Sequence, residues 1–458
     1  MAGTDRGVTS STMSKLIAAE RTLFSERNPK SKALAERARA HWLEGVPMHW
    51  MVDWGTPFAL FIAAAKGVHL EDADGNRYVD FCLGDTGAMF GHSPEIVVKA
   101  ITEQATRGLT TMLPAEDAVV VGELLSKRFG MSHWQVTATA TDANRCVLRW
   151  ARAITGRPKI LVYNGCYHGA VDDTYVALSN GKPRNRPGLI GEVRDVFETT
   201  TVIEFNDLPA LEKALKAKDV ACVLAEPVMT NCSMVLPDEG YHKALRELTR
   251  KTGTLLVIDE THTISSGPGG YTATHKLEPD FFVLGKPIAG GVPAAVYGWT
   301  STTNDRIEAY LKTREPGYSG IGTTLSGNAL QLHCMRAVLE SIMTEAVYDK
   351  AMPLAERLEA ELAKQIEASQ LPWHVVRVGL RVEIVPAVER PRNGTEAGLV
   401  AHGQIEHALH LFCLNRGAVI TPFHNMLLVC PETRTADVDA LLGVTRQGFA
   451  ALSNAARN

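Results

Sequence analysis

Between residues 130 and 300, apolar runs of strand length alternate with segments of helical spacing. Ile160 to Tyr163, Val220 to Ala225, Leu255 to Ile258, Phe281 to Leu284 and Ala294 to Trp299 are such runs. Runs without polar alternation predict strands buried on both faces. Asp142 to Ile154 and Tyr241 to Thr252 space their apolar residues as helices do. Strands alternating with helices predict one mostly parallel sheet, an α/β fold.

The flanks read differently. Residues 1–14 are rich in Gly, Thr and Ser and predict a loose tail. Residues 15–44 predict helical segments broken near Asn28-Pro29. Residues 58–61, 68–70 and 78–81 predict short strands around an Asp72–Asn76 turn, and 94–107 and 116–128 predict helices. After residue 304, helices are predicted over 328–347, 355–368, 405–416 and 437–452. Residues 375–385, 418–420 and 426–429 read as strands. Three regions result: an N-terminal segment (1–75), a large domain (76–330) and a smaller α+β domain (331–458).

Composition narrows the function. Apolar residues make up 45% and charged residues 21% of 458, as in an ordinary globular protein. A net charge of -4 without a basic block argues against a nucleic-acid partner. The eight cysteines never form a C-x-x-C pair, which suits free thiols in a reducing compartment. Residues 1–14 lack the apolar centre of a signal peptide, and no stretch is long and apolar enough to span a bilayer. A cytoplasmic protein without a membrane segment is expected. No histidine spacing points to a zinc site, so no metal is expected.

In α/β sheets, ligands bind beyond the carboxyl ends of the strands. Asp259-Glu260 and Gly285-Lys286 end two of the buried runs. A buried acid that stays ionised, with a lysine that reacts as an amine, is what pyridoxal phosphate requires. The alternatives are a surface lysine and an acid that caps a helix. Thr139-Ala140-Thr141 stands where a strand turns into a helix, so its amides and hydroxyls could hold a phosphate or merely cap the helix. In Cys166-Tyr167-His168-Gly169, the Tyr167 ring could stack on a flat cofactor. His168 could orient that cofactor or be a plain loop histidine. The glycines at 285, 290 and 291 leave room for a bulky group to approach the backbone. Trp50 and Trp54, in an irregular segment, read as core filling or as the wall of a pocket or interface.

Taken together, these motifs resemble the class III aminotransferases of fold type I, the group that includes glutamate-1-semialdehyde aminomutase. The motifs are Tyr163 to Gly169, Glu226-Pro227, Asp259-Glu260-Thr261, Leu284-Gly285-Lys286 and Thr323 to Asn328. The resemblance spans about residues 40–450. It implies a seven-stranded-type sheet between helices, with a small domain built from both chain ends. It also implies a homodimer with shared active sites, to which the N-terminal segment contributes contacts.

Under the resemblance, Lys286 forms the aldimine with pyridoxal phosphate and shuttles the proton. Asp259 pairs with the pyridine nitrogen, and Tyr167 stacks on the ring. Thr139, Ala140 and Thr141 take the phosphate-cup positions, and Thr324 reaches the phosphate of the second subunit. His168, Glu226 and Thr261 also stand near the cofactor. The usual cup reads Asn-Ser-Gly-Thr-Glu-Ala, whereas this chain has Ala138-Thr139-Ala140-Thr141-Asp142-Ala143. Thr261 replaces the usual valine and could put a hydroxyl against the ring.

The activity implied is ping-pong amino transfer between an amine or amino acid and a keto acid, aldehyde or ketone. The alternatives are a 2,1-aminomutase and a racemase or decarboxylase with the same cofactor. Trp50 falls where some relatives that act on β-amino acids carry an arginine, so the wall formed with Trp54 reads as apolar. Arg381 is the candidate carboxylate clamp, with a structural pair to Glu383 as its alternative. His424 and Asn425 could also face the cleft.

Overall fold

The computed structural model describes residues 10–457. The predicted tail lies outside them up to residue 9, and residues 10–14 already belong to the helix Ser10–Arg27. Pro29 opens the next helix at a first-turn position, where its missing N–H costs nothing.

The chain forms two compact units. The first runs to Pro94 and includes Ala346–Arg390 and from Val400 on; the second is Glu95–Glu345 with Pro391–Leu399. The observed divisions therefore fall at 94 and 345 rather than at 75 and 330. The reason is local: the helix Ala329–Ser341 packs on Glu95–Ala105 and Asp117–Phe129. Pro391–Leu399 stays with the second unit because Asn164 bonds the Thr395 hydroxyl at 3.1 Å. There, a Cβ on Gly394 would lie 1.9 Å from the Asn164 carbonyl oxygen.

The second unit is built on a seven-stranded sheet. Its order is His133–Thr137, Ala295–Trp299, Phe281–Leu284, Leu255–Asp259, Val220–Ala225, Lys159–Tyr163 and Thr200–Ile203. Only Ala295–Trp299 runs against its neighbours. The sheet matches the mostly parallel α/β arrangement, and its central strands are fully buried as their unbroken apolar runs require. Phe282 places its ring 4.8 Å from Phe129 and 5.9 Å from Trp134. Aromatic pairs of this kind add about 0.5–1.5 kcal/mol each beyond burial.

The helix Ala140–Thr155 starts where Thr139 caps it, its Oγ1 accepting from the Asp142 amide at 3.2 Å. Ala143, Val147, Trp150 and Ala151 form its buried stripe, and Gly156 ends it at φ +66°. Its first turn is thereby fixed beside the carboxyl end of His133–Thr137.

Several elements differ from their predicted limits. The first strand is Ile62–Lys66 rather than 58–61. The segment 375–385 is a hairpin, His374–Val378 and Arg381–Val385, because Gly379 turns the chain at φ +60°. The helices predicted at 328–347 and 355–368 are Ala329–Ser341 and Glu345–Ala368. The second starts early, with Glu345 complementing its N-terminal dipole, and it carries Pro353 inside. Among the described residues, no helix is long and apolar enough to cross a membrane.

Candidate active site

Four consecutive parallel strands, Phe281–Leu284, Leu255–Asp259, Val220–Ala225 and Lys159–Tyr163, lead at their carboxyl ends into the turns that carry Lys286, Asp259 to His262, Glu226 and Tyr167-His168. The topology therefore gathers side chains that lie far apart in sequence.

Asp259 is the most constrained of them. Its Oδ2 accepts from Asn144 Nδ2 and His168 Nδ1, both at 2.9 Å. Its Oδ1 accepts from the Thr261 hydroxyl at 2.6 Å and the Thr261 amide at 3.1 Å. Burial alone would raise its pKa, but the bonds and charge of His168, with Thr261 and Asn144, hold it below the usual carboxylate range. The same pairing holds buried His168 above the usual imidazole range, against the opposing effect of its burial. Asp259 is thus an ionised carboxylate inside the protein rather than a helix cap.

Glu226 is also buried, and burial raises its pKa. One oxygen accepts from the Thr230 hydroxyl at 2.6 Å, the Thr230 amide at 3.1 Å and Asn231 Nδ2 at 3.2 Å. The other accepts from the Tyr167 amide at 3.4 Å. Glu226 therefore fixes the backbone that carries Tyr167, whose side chain is 44% exposed. An open ring above an anchored backbone is the arrangement a stacking residue requires.

The phosphate-cup residues divide their work. Thr139 Oγ1 donates to Asp142 Oδ2 at 2.9 Å as well as capping the helix. Thr141 Oγ1 accepts from the Ala170 amide at 3.0 Å. The Thr139 hydroxyl gives its proton to Asp142, whereas Thr141 Oγ1 only accepts, so the groups left to meet an anion are the Thr141 O–H and the first-turn amides of Ala140 and Thr141. Thr261 likewise spends its hydroxyl on Asp259. Gly285 and Gly290 serve close packing of the chain itself rather than leaving open space: an added Cβ would lie 2.8 Å from Ala140 Cβ and 2.5 Å from Val97 Cγ2. Thr324 is exposed in the loop before the helix Ala329–Ser341.

Gly169 is the tightest point of this region. It sits at φ +85°, and a Cβ there would lie 2.1 Å from Thr141 Oγ1. Gly169→Ala is expected to cost about 1–3 kcal/mol through backbone strain. It should also displace Thr141 and weaken cofactor binding. Chemical denaturation and the cofactor dissociation constant check this.

Lys286 stands at φ +46° with its Nζ 2.8 Å from His262 Nε2. His262 and Asn144 are the residues that sequence reasoning passed over. Asn144 also donates to the His168 carbonyl at 3.1 Å, tying the helix to two strand ends. Its only sequence signal is a polar residue on the inward stripe of an amphipathic helix, one position after Ala143.

Trp50, Trp54, Arg381 and His424 belong to the first unit. Trp50 is 47% exposed in the short turn His49–Val52. Trp54 packs edge-on to His410 at 5.2 Å. His424 lies in a turn at φ +60°. Arg381 is 2% exposed and bonds Glu383 through Nη2 at 3.1 Å and Nε at 3.2 Å, with Asp85 at 3.5 Å. Arg381 is thus paired inside the protein, with Glu383 and Asp85 as its partners, as the structural reading expects. Arg381→Ala would leave Glu383 buried beside Asp85 without a cation and is expected to cost about 3–5 kcal/mol. Urea denaturation measures it; a clamp would instead raise KM at unchanged stability.

The second unit's residues fit pyridoxal phosphate. The first turn of Ala140–Thr155 offers backbone amides to a phosphate, buried Asp259 offers a lasting anion to a ring nitrogen, and Lys286 offers an amine. Among the described residues, no group of three or more His, Cys, Asp or Glu could hold a metal ion.

Similar proteins identify the family. Residues 51–442 match the family Aminotransferase class-III. Glutamate-1-semialdehyde 2,1-aminomutase of Anaeromyxobacter dehalogenans (strain 2CP-C) is 32% identical over 370 residues, 78% of this chain and 84% of that protein. The Neisseria meningitidis protein of the same name (strain Z2491) is 32% identical over 79% of this chain and 84% of its own. Among solved structures, a glutamate-1-semialdehyde-aminomutase from Pseudomonas aeruginosa PAO1, a lysine-to-alanine variant in complex with PMP, is 49% identical. It superposes with a TM-score of 0.95 over 97% of this chain and 100% of that one. An omega-transaminase from Sphaerobacter thermophilus is 25% identical, with a TM-score of 0.83 over 93% and 98%. The chain is therefore an enzyme of the class-III aminotransferase family, of fold type I, and its cofactor is pyridoxal phosphate.

Proposed function

We propose that the enzyme moves an amino group between an amine or amino acid and a carbonyl compound, using Lys286 as both nucleophile and proton carrier. The observation that carries this reading is that an ionised, buried Asp259 and Lys286 stand at or just beyond the carboxyl ends of adjacent parallel strands. Bound pyridoxal phosphate supplies a carbonyl carbon for an amine and a ring that draws electrons from the substrate carbon. Asp259 keeps a proton on the ring nitrogen, because its charge persists inside the protein. His168 and Asn144 fix that carboxylate, and Glu226 fixes the Tyr167 backbone below the ring. The Ala140 and Thr141 amides bind the phosphate. With the cofactor bound, Lys286 would be the amine that holds it and would carry a proton to and from the substrate carbon. Thr324 serves the phosphate of a second subunit in a homodimer, and Trp50 and Trp54 favour an apolar substrate portion.

A second reading is a 2,1-aminomutase that keeps the amine within one molecule. The names of the 32% identical relatives and of the 49% identical solved structure favour it. The two readings separate in one assay of the loaded enzyme. An aminomutase converts glutamate-1-semialdehyde to its 5-amino-4-oxo isomer with no added donor. A transaminase needs a separate amino donor and releases that donor's ketone or keto acid in equal amount. Neither product from any donor would overturn amino transfer.

A further inference from the structure

Lys286 has a neighbour whose chemistry matches its own. The turn after Leu255–Asp259 is pinned on both sides of His262. Thr261 is held by Asp259, and the Thr263 hydroxyl donates to Glu260, whose carboxylate also accepts from the Tyr271 and Thr272 amides. The turn so fixed buries the His262 ring and sets its Nε2 2.8 Å from Lys286 Nζ. Lys286 is directed in its turn by a left-handed backbone, φ +46°, between Gly285 and Pro287. The backbone on both sides of the contact is therefore held in a defined conformation. Of the other titratable groups of these turns, Asp259 bonds His168, Glu260 bonds Thr263 and Glu226 bonds Thr230.

An amine and an imidazole at hydrogen-bond distance hold one proton between them, because two cations at this spacing repel. We propose that His262 is the proton partner of Lys286. The ammonium gives one proton to the His262 Nε2 lone pair: the N–H bond breaks at Nζ and forms at Nε2. The electron pair left on Nζ then removes a proton from carbon, which re-forms the ammonium, or attacks a carbonyl carbon. In the second case the C=O bond opens, and the oxygen takes one proton from the imidazolium and one from the nitrogen and leaves as water as the C=N bond forms. An imidazolium that has not protonated the departing oxygen passes its proton to water and is neutral for the next cycle. His262 thereby resets the amine each time Lys286 is released, without an outside reductant or oxidant.

This inference rests on Lys286 being the reactive amine, and the test keeps the two claims apart. The full chain, freed of cofactor, is mixed at neutral pH with pyridoxal, an aldehyde without the phosphate. Imine formation is followed by absorbance, and the Lys286→Ala signal is subtracted. Wild type is expected to form the imine readily. His262→Gln keeps size and hydrogen bonding but cannot carry the proton, and it is expected to react about 100-fold more slowly. His262→Ala should be as slow and should recover when free imidazole is added, which a purely structural role would not produce. A wild-type rate in His262→Gln, or a slow His262→Ala that imidazole leaves unchanged, overturns the proton-partner role. No imine above the Lys286→Ala background in wild type would instead remove the lysine assignment itself.

Discussion

Lys286→Ala is expected to lower amino-transfer turnover by about 10⁴-fold or more, the upper end of what losing a general base alone removes. The loss exceeds that of a base because the same nitrogen is also the nucleophile. Alanine leaves the first turn of Ala140–Thr155 and the Asp259 cluster untouched, so the variant should still bind pyridoxal phosphate non-covalently. Turnover and equilibrium dialysis together separate these effects. Activity within tenfold of wild type would show that another group does the chemistry.

The second large effect is expected at Asp259. Asp259→Asn preserves shape but removes a charge that His168, Thr261 and Asn144 sustain inside the protein. Losing one preorganised electrostatic partner of the reacting system costs about 10²–10³ in kcat, and KM should change much less. The variant should also change the pH dependence of stability. Asp259 is depressed, so its contribution is present above the ordinary carboxylate range and lost as pH falls through its lowered value. His168 is raised, so its contribution is whole below the ordinary imidazole range and lost as pH rises through its raised value. Wild type should therefore lose stability from this pair toward both acid and alkali. In Asp259→Asn both slopes should flatten, a result that melting temperatures across pH can check.

The sheet was legible because three of its strands are pure apolar runs: 220–225, 255–259 as far as Ile258, and 281–284. Thr200–Ile203 escaped notice because two threonines dilute its pattern, although burial of the strand is as real. In the hairpin Val176–Ser179 with Lys182–Asn185, only Val176 and Leu178 face the core, and the second strand is mostly exposed and polar, so the pattern is too short to announce it. At the site, residue identities at strand ends were enough to pick out Lys286 and Asp259, since topology alone brings such ends together. What sequence could not tell was which hydroxyls are already spent. Thr139 and Thr261 look like ligand groups in sequence, yet each gives its hydroxyl proton to an acid of its own chain. His262 was hidden for the converse reason. Only the path of one turn points its ring at Lys286, and no spacing rule encodes that path. Arg381 and Glu383, two apart on one strand, share a face, and they pair there as that spacing allows.

The most direct test is borohydride trapping. Enzyme loaded with pyridoxal phosphate is reduced, digested and mapped by mass spectrometry, with and without prior addition of an amino donor. The cofactor is expected on the peptide that contains Lys286 when no donor is present. Trapping there should disappear once a productive donor has converted the cofactor to its amine form. Cofactor attached at another lysine, or no attachment in either sample, would contradict the account.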